Sequence, residues 1–186
     1  QITVDDAAVA VRQAVRSAYT AADTALHEDV DQFFSNPNGS SPRVNFFTDS
    51  QREIALEAKR RELQDVMRDW AQWVLDTEAF DADLMDAAQS TRNYISDLDS
   101  LLLLSTDALS NATPSGSASQ ATLDTWLSEV GAERAVNDAN RGTLTTAEEK
   151  LNTANATLKV AEDQLTLLLA GATAEDIAAQ AAVVRA

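Results

Sequence analysis

The chain has 186 residues, a formal net charge of -16, one His and no Cys. That excludes disulfides, thiolate zinc sites, iron–sulfur clusters, cysteine nucleophiles and His-rich metal sites. With 14 Lys and Arg against 30 Asp and Glu, it offers no basic surface to nucleic acid or to anionic lipid.

Five Gly and three Pro are too few for a turn-rich β-sandwich or barrel, whereas 34 Ala and 20 Leu suit long helices and coiled coils. No run of 18 apolar residues occurs to cross a membrane. Three Lys against 11 Arg and 19 Asp against 11 Glu fit either a salt-adapted surface or GC-rich coding bias with an ordinary acidic face. The chain opens on Gln1 and ends in the middle of a helical pattern, and it reads as a fragment of a longer protein.

Residues 3–35 form the first expected helix, with Val4, Ala8, Val11, Val15, Ala18 and Ala22 at spacings of three and four. Asp5 and Asp6 suit its positive end, and Asn36-Pro37 stops it. A loop over 35–48 follows. Thr48 or Asp49 caps the second helix, 49–79, in which Leu56, Leu63 and Trp70 recur at sevens.

A short break is expected at Phe80-Asp81, with Asp81 as the next cap. The third helix, 82–112, carries two seven-residue ladders, Leu84, Thr91, Leu98, Ser105 and Ala88, Ile95, Leu102, Leu109. Residues 113–119 form the second loop. The last long helix runs from Ser119 to Gly171, about 75 Å at 1.5 Å per residue. In it Leu144, Ala147, Leu151, Ala154, Leu158, Ala161, Leu165 and Leu168 make an unbroken a/d heptad seam. Gly142 is a point for a kink, Gly171 a helix stop, and Thr173 a cap for a further helix.

These lengths predict an all-α fold, an antiparallel up-down four-helix bundle with a protruding coiled-coil hairpin. The bundle is expected over 1–142, with helices at about 3–35, 49–79, 82–112 and 119–142. The coiled-coil extension covers 143–186, with its hairpin turn at 170–174, marked by Gly171 and Thr173. The helix beginning at Thr173 is expected to cover the protruding seam.

Asp23, His27 and Asp31 share a helix face at i, i+4 and i+8 and could meet a metal, but a solvated His between acids is the simpler account. Asp81, Asp83 and Asp86 suit capping better than an EF-hand, whose loop pattern is absent. Thr48-Asp49 and Glu148-Glu149 read as ordinary helix-surface residues. No nucleophile elbow, dinucleotide fingerprint or phosphate loop occurs. The expectation is therefore no catalytic, cofactor or metal residues, and not an enzyme.

Trp70, Trp73 and Trp126 read as bundle core, or else as a small-ligand pocket between helices. Arg60 and Arg61 suit an anionic ligand, or more simply ion pairs with neighbouring acids.

The run from Leu144 to Ala186 resembles the helical hairpin of periplasmic adaptor proteins, the HlyD-like membrane fusion family. Its most specific piece is Leu167-Leu168-Leu169-Ala170-Gly171-Ala172-Thr173-Ala174-Glu175-Asp176-Ile177. This is similar to the "LxLLxAGAxPEDI" turn of that family, with Ala174 in place of the frequent Pro. Residues 19–37 are similar to the start of an extended helical insertion in some such adaptors.

The resemblance implies a non-catalytic domain of a secretion or efflux adaptor outside the cytoplasm, anchored through regions absent from this fragment. It also implies inner-membrane transporter subunits as partners, with an outer-membrane channel or other adaptor copies met through helix contacts. No direct membrane contact by this fragment is implied. Two other readings stand beside it: an extracytoplasmic four-helix sensor domain binding a small ligand, and a purely structural coiled-coil assembly module.

Overall fold

The structure is a computed structural model and describes residues 3–79, 83–171 and 174–185. It is an all-α helical bundle. Its helices are α1 (Val4–Thr24), α2 (Ser50–Ala79), α3 (Leu84–Ser110), α4 (Gln120–Ala170) and α5 (Ala174–Arg185). Two short strands, β1 (Phe34–Ser35) and β2 (Arg43–Val44), pair antiparallel between α1 and α2, Phe34 opposite Val44.

Polar side chains set the helix starts by accepting from N–H groups that have no partner within the helix. Thr3 and Asp6 form a reciprocal capping box at α1. Asp49 accepts from the N–H groups of Gln51 and Arg52. Asp83 accepts from Met85 and Asp86, so it is the cap of α3 in place of the expected Asp81. Ser119 accepts from Thr122 at the start of α4. Phe80 and Asp81, the expected break, lie outside the described residues, as does Thr173.

Contacts run in opposite directions along successive helices. Tyr19 packs on Trp70 while Asp31 pairs with Arg60. Arg52 meets Asp107 while Lys59 meets Asp97, and Arg92 meets Glu148 while Arg134 meets Asp99. Each sequential pair is therefore antiparallel, and α1 closes the bundle against α4 and α3. The expected ladders make the core. Leu56, Leu63 and Trp70 are wholly buried, as are Ala88, Ile95 and Leu102, with Leu109 beside them. Buried Ser105 is satisfied by donating its hydroxyl to the Leu101 carbonyl.

The expected single helix over 3–35 changes pitch. It is α-helical to Thr24, widens into a π turn over Ala25–Val30 and tightens into a 3-10 turn over Asp31–Phe33. The wide turn carries Asp31 off the solvated face and into the bundle. There it accepts from Arg60 Nε at 2.6 Å and Nη2 at 2.9 Å. The chain then becomes extended at Phe34 (φ -112, ψ 145), and Phe33 and Phe34 are both buried.

Asn36 takes a left-handed φ of 55, which Asn tolerates better than most residues. A Cβ at Gly39 would lie 2.0 Å from the Asn36 side chain, so a larger residue there would force that side chain to move. The small hairpin is fastened to α2 by buried Glu57, which accepts from Arg43 Nη1 at 2.9 Å and from the Val44 N–H at 3.2 Å.

α4 is one unbroken helix of 51 residues. The helix continues without a break through Gly142, whose surroundings are open. Its packed part reaches Ala154, beyond the expected bundle limit at 142. The expected cover of the seam by the last helix is not found. α5 does not pack along α4, and its described side chains are exposed apart from half-buried Ala181. Gly171 leaves α4 at φ 74 and ψ -175, an extended exit that only glycine adopts readily.

Arg60→Ala leaves Asp31 buried without its cation and should cost about 3–5 kcal/mol in urea unfolding. The double variant Arg60→Met/Asp31→Leu should recover most of that loss. A single variant as stable as the parent would mean that the pair carries no weight.

Candidate functional site

The helical seam of α4 divides into two halves. Leu144, Ala147, Leu151 and Ala154 are buried beneath α1 and α3, whereas Leu158 is 48%, Leu165 55% and Leu168 79% exposed. Ala161 is exposed with them. The division falls where α1 begins. Thr3, Val4 and Asp5 line an open groove of about 430 Å³ with Ala154, Thr157, Leu158 and Ala161. Hydrogen bonds from the Thr3 side chain and backbone hold the Asp6 carboxyl below its ordinary range. The capping box thus ends α1 opposite the last buried layer.

Beyond it, Val160, Leu167 and Leu169 on α4 and Ile177, Val183 and Val184 on α5 add to the exposed apolar surface. Such a run stands out on a bundle whose other large side chains are mostly inside. The heptad line also extends backwards. Leu123, Val130 and Asn137 precede Leu144 at sevens and are buried. Asn137 donates from Nδ2 to the Ile95 carbonyl of α3 at 3.0 Å, and a polar residue at such a position fixes register.

The three Trp residues do not gather. Trp70 is fully buried between Tyr19, edge-on with centroids 5.7 Å apart, and Tyr94, stacked at 5.3 Å. Burial raises the Tyr19 and Tyr94 hydroxyls above their usual range, helped by Asp23 at the first and by Asp69 and Asp97 at the second. Trp126 sits in a separate cluster with Phe33 at 5.7 Å and Phe46 at 6.3 Å. Trp73 is half-buried. None of the three lines the described grooves between α1 and α4.

Asp23, His27 and Asp31 do not form a metal centre. Both Asp31 oxygens are taken by Arg60, and His27 Nδ1 lies 2.9 Å from Oδ2. Among the described residues no group of three His, Asp or Glu is arranged to hold a metal. Arg60 is fully buried in its ion pair, while Arg61 is exposed.

Glu148, expected on the surface, is buried and paired with Arg92 of α3. Its signal was available: it sits next to Ala147, on the seam's flank, where α3 closes over it. Asn137 had a clearer signal, lying seven residues before Leu144. No helix among the described residues is long and apolar enough to cross a membrane. No protein-family model matches this chain, and searches of curated proteins and of solved structures find no match either.

One end of the α1–α4 face is acidic. Burial raises the Asp29 carboxyl, with Glu129 and Glu28 adding to it. Burial also raises Glu133, with Asp29 and Glu28 adding. A carboxyl whose folded pKa exceeds its unfolded value binds its proton more readily when folded. Stability from these two therefore rises as pH falls from neutrality through their raised values, and levels off below the ordinary carboxylate range.

The thermal midpoint should accordingly climb on mild acidification. Glu133→Gln should raise it by about 1–2 °C at pH 7 and flatten the climb. An unchanged pH profile in that variant would remove Glu133 from the account. On the seam, Leu151→Ala should cost about 2–5 kcal/mol. Leu158→Asp, on the exposed half, should move the bundle's CD midpoint by no more than about 2 °C. A large loss at Leu158 would place a cover over it.

Proposed function

We propose that this chain is the helical domain of an adaptor of the HlyD-like membrane fusion class, a non-catalytic part of a secretion or efflux system that works through helix–helix contacts outside the cytoplasm. One observation carries the reading. α4 runs out of the bundle with an uncovered Leu/Ala seam and ends at Gly171, in a backbone conformation suited to glycine. This is where the sequence resembles the adaptor turn. A protruding apolar helix is of use to a molecule that docks, and it serves no purpose in a closed bundle.

The far end of the bundle suits an exposed tip. The connection over 36–49 and that over 111–119 meet there through the Phe47–Thr113 bridge, with Phe47 67% exposed. In this reading the partners are inner-membrane transporter subunits and an outer-membrane channel or further adaptor copies. Trp70, packed between two tyrosines, lines none of the described grooves, so the sensor reading gains no support from it.

The test is photo-cross-linking in the natural host from positions Phe47 and Ser117 of the full-length protein. Cross-links to a transport subunit, an envelope channel or another adaptor copy are expected. Cross-links confined to a signalling protein, or none to any envelope component, would overturn the reading.

A further inference from the structure

Arg60 is wholly buried, yet its hydrogen bonding is incomplete. Asp31 takes one side of the guanidinium, accepting from Nε at 2.6 Å and from Nη2 at 2.9 Å. The second Nη2 hydrogen points to the end of the fork, where it reaches Asn38 Oδ1 at 3.4 Å. Nη1, at that same end, has no acceptor among the described residues. A buried donor left unpaired costs stability. The Asn38 amide offers this end one long contact to a neutral oxygen, where a carboxylate would offer two charged oxygens. We propose that Asn38 is a self-modification site: its side-chain amide is lost to the Gly39 nitrogen and water, and the carboxylate that forms completes the partners of Arg60.

Asn38-Gly39 is the one Asn-Gly pair in the chain. The nitrogen of the residue after an Asn can attack the side-chain carbonyl carbon, and the side chain on that next residue ordinarily hinders the approach. Gly39 has none. Asn38 is exposed, in the connection between the two short strands. The guanidinium at Oδ1 also draws electrons from Cγ and so makes it the better electrophile.

The chemistry balances with water alone. Gly39 N bonds to Asn38 Cγ and gives its proton to solvent. The Cγ–Nδ2 bond breaks, and the nitrogen leaves as ammonia with a proton taken from water. Water then opens the cyclic imide. Opening at Cγ leaves an ordinary aspartate at position 38, and opening at the main-chain carbonyl leaves an isoaspartyl link. One water is consumed and one ammonia released, with no oxidant or cofactor.

One contact restrains the reaction. The Gly39 N–H donates to the Asn36 carbonyl at 3.0 Å, so this turn must open before the nitrogen attacks. Exposed turns open at far lower cost than a core, so folding slows the step without blocking it.

The product suits its surroundings. Position 38 is exposed, so the new carboxylate keeps part of its hydration and avoids the full cost of burial. Its two oxygens match the spacing of Nη1 and Nη2 at the end of the planar fork. Gln64 Nε2 donates to the main-chain oxygen of residue 38 at 3.1 Å, which holds the loop against α2. One more negative charge on a chain of -16 should destabilise it by self-repulsion. Here the charge lands on a buried cation, and the sign reverses. The inference stands on Arg60 and the Asn-Gly pair and does not depend on the adaptor reading, so the two fail separately.

Ageing of the 186-residue chain in mildly alkaline buffer, followed by peptide mapping, tests the reaction. Residue 38 should take on the mass of an acid in place of an amide before any other Asn does, and Asn38→Gln should remove that change. Conversion at residue 38 in urea but not in the folded chain would overturn the proposal, as would earlier conversion at another Asn.

Asn38→Asp tests the product. Its thermal midpoint should exceed the parent's by about 2–4 °C. In the Arg60→Met/Asp31→Leu background the same substitution should give no gain. A midpoint at or below the parent's in Asn38→Asp would overturn the proposal, and so would an equal gain in the background that lacks Arg60.

Discussion

The contact between Asp31 and Arg60 organises the bundle. Arg60 is wholly buried on α2, and its charge can be carried there only if a carboxylate is delivered to it. The chain delivers one by abandoning α geometry after Thr24. A π turn widens the helix, Asp31 swings inward, and a 3-10 turn brings Phe33 and Phe34 into the core behind it. The direction in which the chain leaves α1, the seat of the small hairpin on Glu57, and the aromatic cluster of Phe33, Phe46 and Trp126 all follow from that turn. Arg60 Nη2 also reaches Asn38 at 3.4 Å, which draws the tight turn at Asn36 against the same cation.

The parts of this fold that repeat were legible in the sequence. The ladders of α2 and α3 are periodic over four turns or more, and a period survives noise in single residues. The start of α2 was legible at Thr48 or Asp49 and that of α4 near Ser119, where short polar side chains precede a helical run. The π turn was not legible, because one widened turn leaves no periodic trace. It is chosen by an Arg that lies 29 residues further along the chain. Glu148 was misplaced on the surface although its position beside Ala147 on the seam's flank hinted at burial; its partner Arg92, 56 residues away, was the part no local pattern announces.

The seam was legible as a heptad. Which half of it is covered was not, since that depends on where α1 stops on its neighbour. The capping box at Thr3 sets that point. The extended exit at Gly171 was likewise only half visible, since the glycine announces a stop and says nothing of the direction taken afterwards. The acidic composition acquires a location in the structure. Part of it is concentrated where Asp29 and Glu133 crowd the α1–α4 face, and elsewhere it is answered by ion pairs such as Lys59 with Asp97 and Arg52 with Asp107.

The continuity of α4 has a mechanical meaning. One shaft of 51 residues begins at the loop end of the bundle and finishes beyond its other end. Asn137 pegs it to the backbone of α3, so it cannot slide along its neighbour without breaking a buried hydrogen bond. The free half and Ser119 are thus two ends of a single helix, some tens of ångströms apart. Gly131 and Gly142 both sit in the packed length of that helix with open space around them, and each costs the helix about 1 kcal/mol relative to alanine.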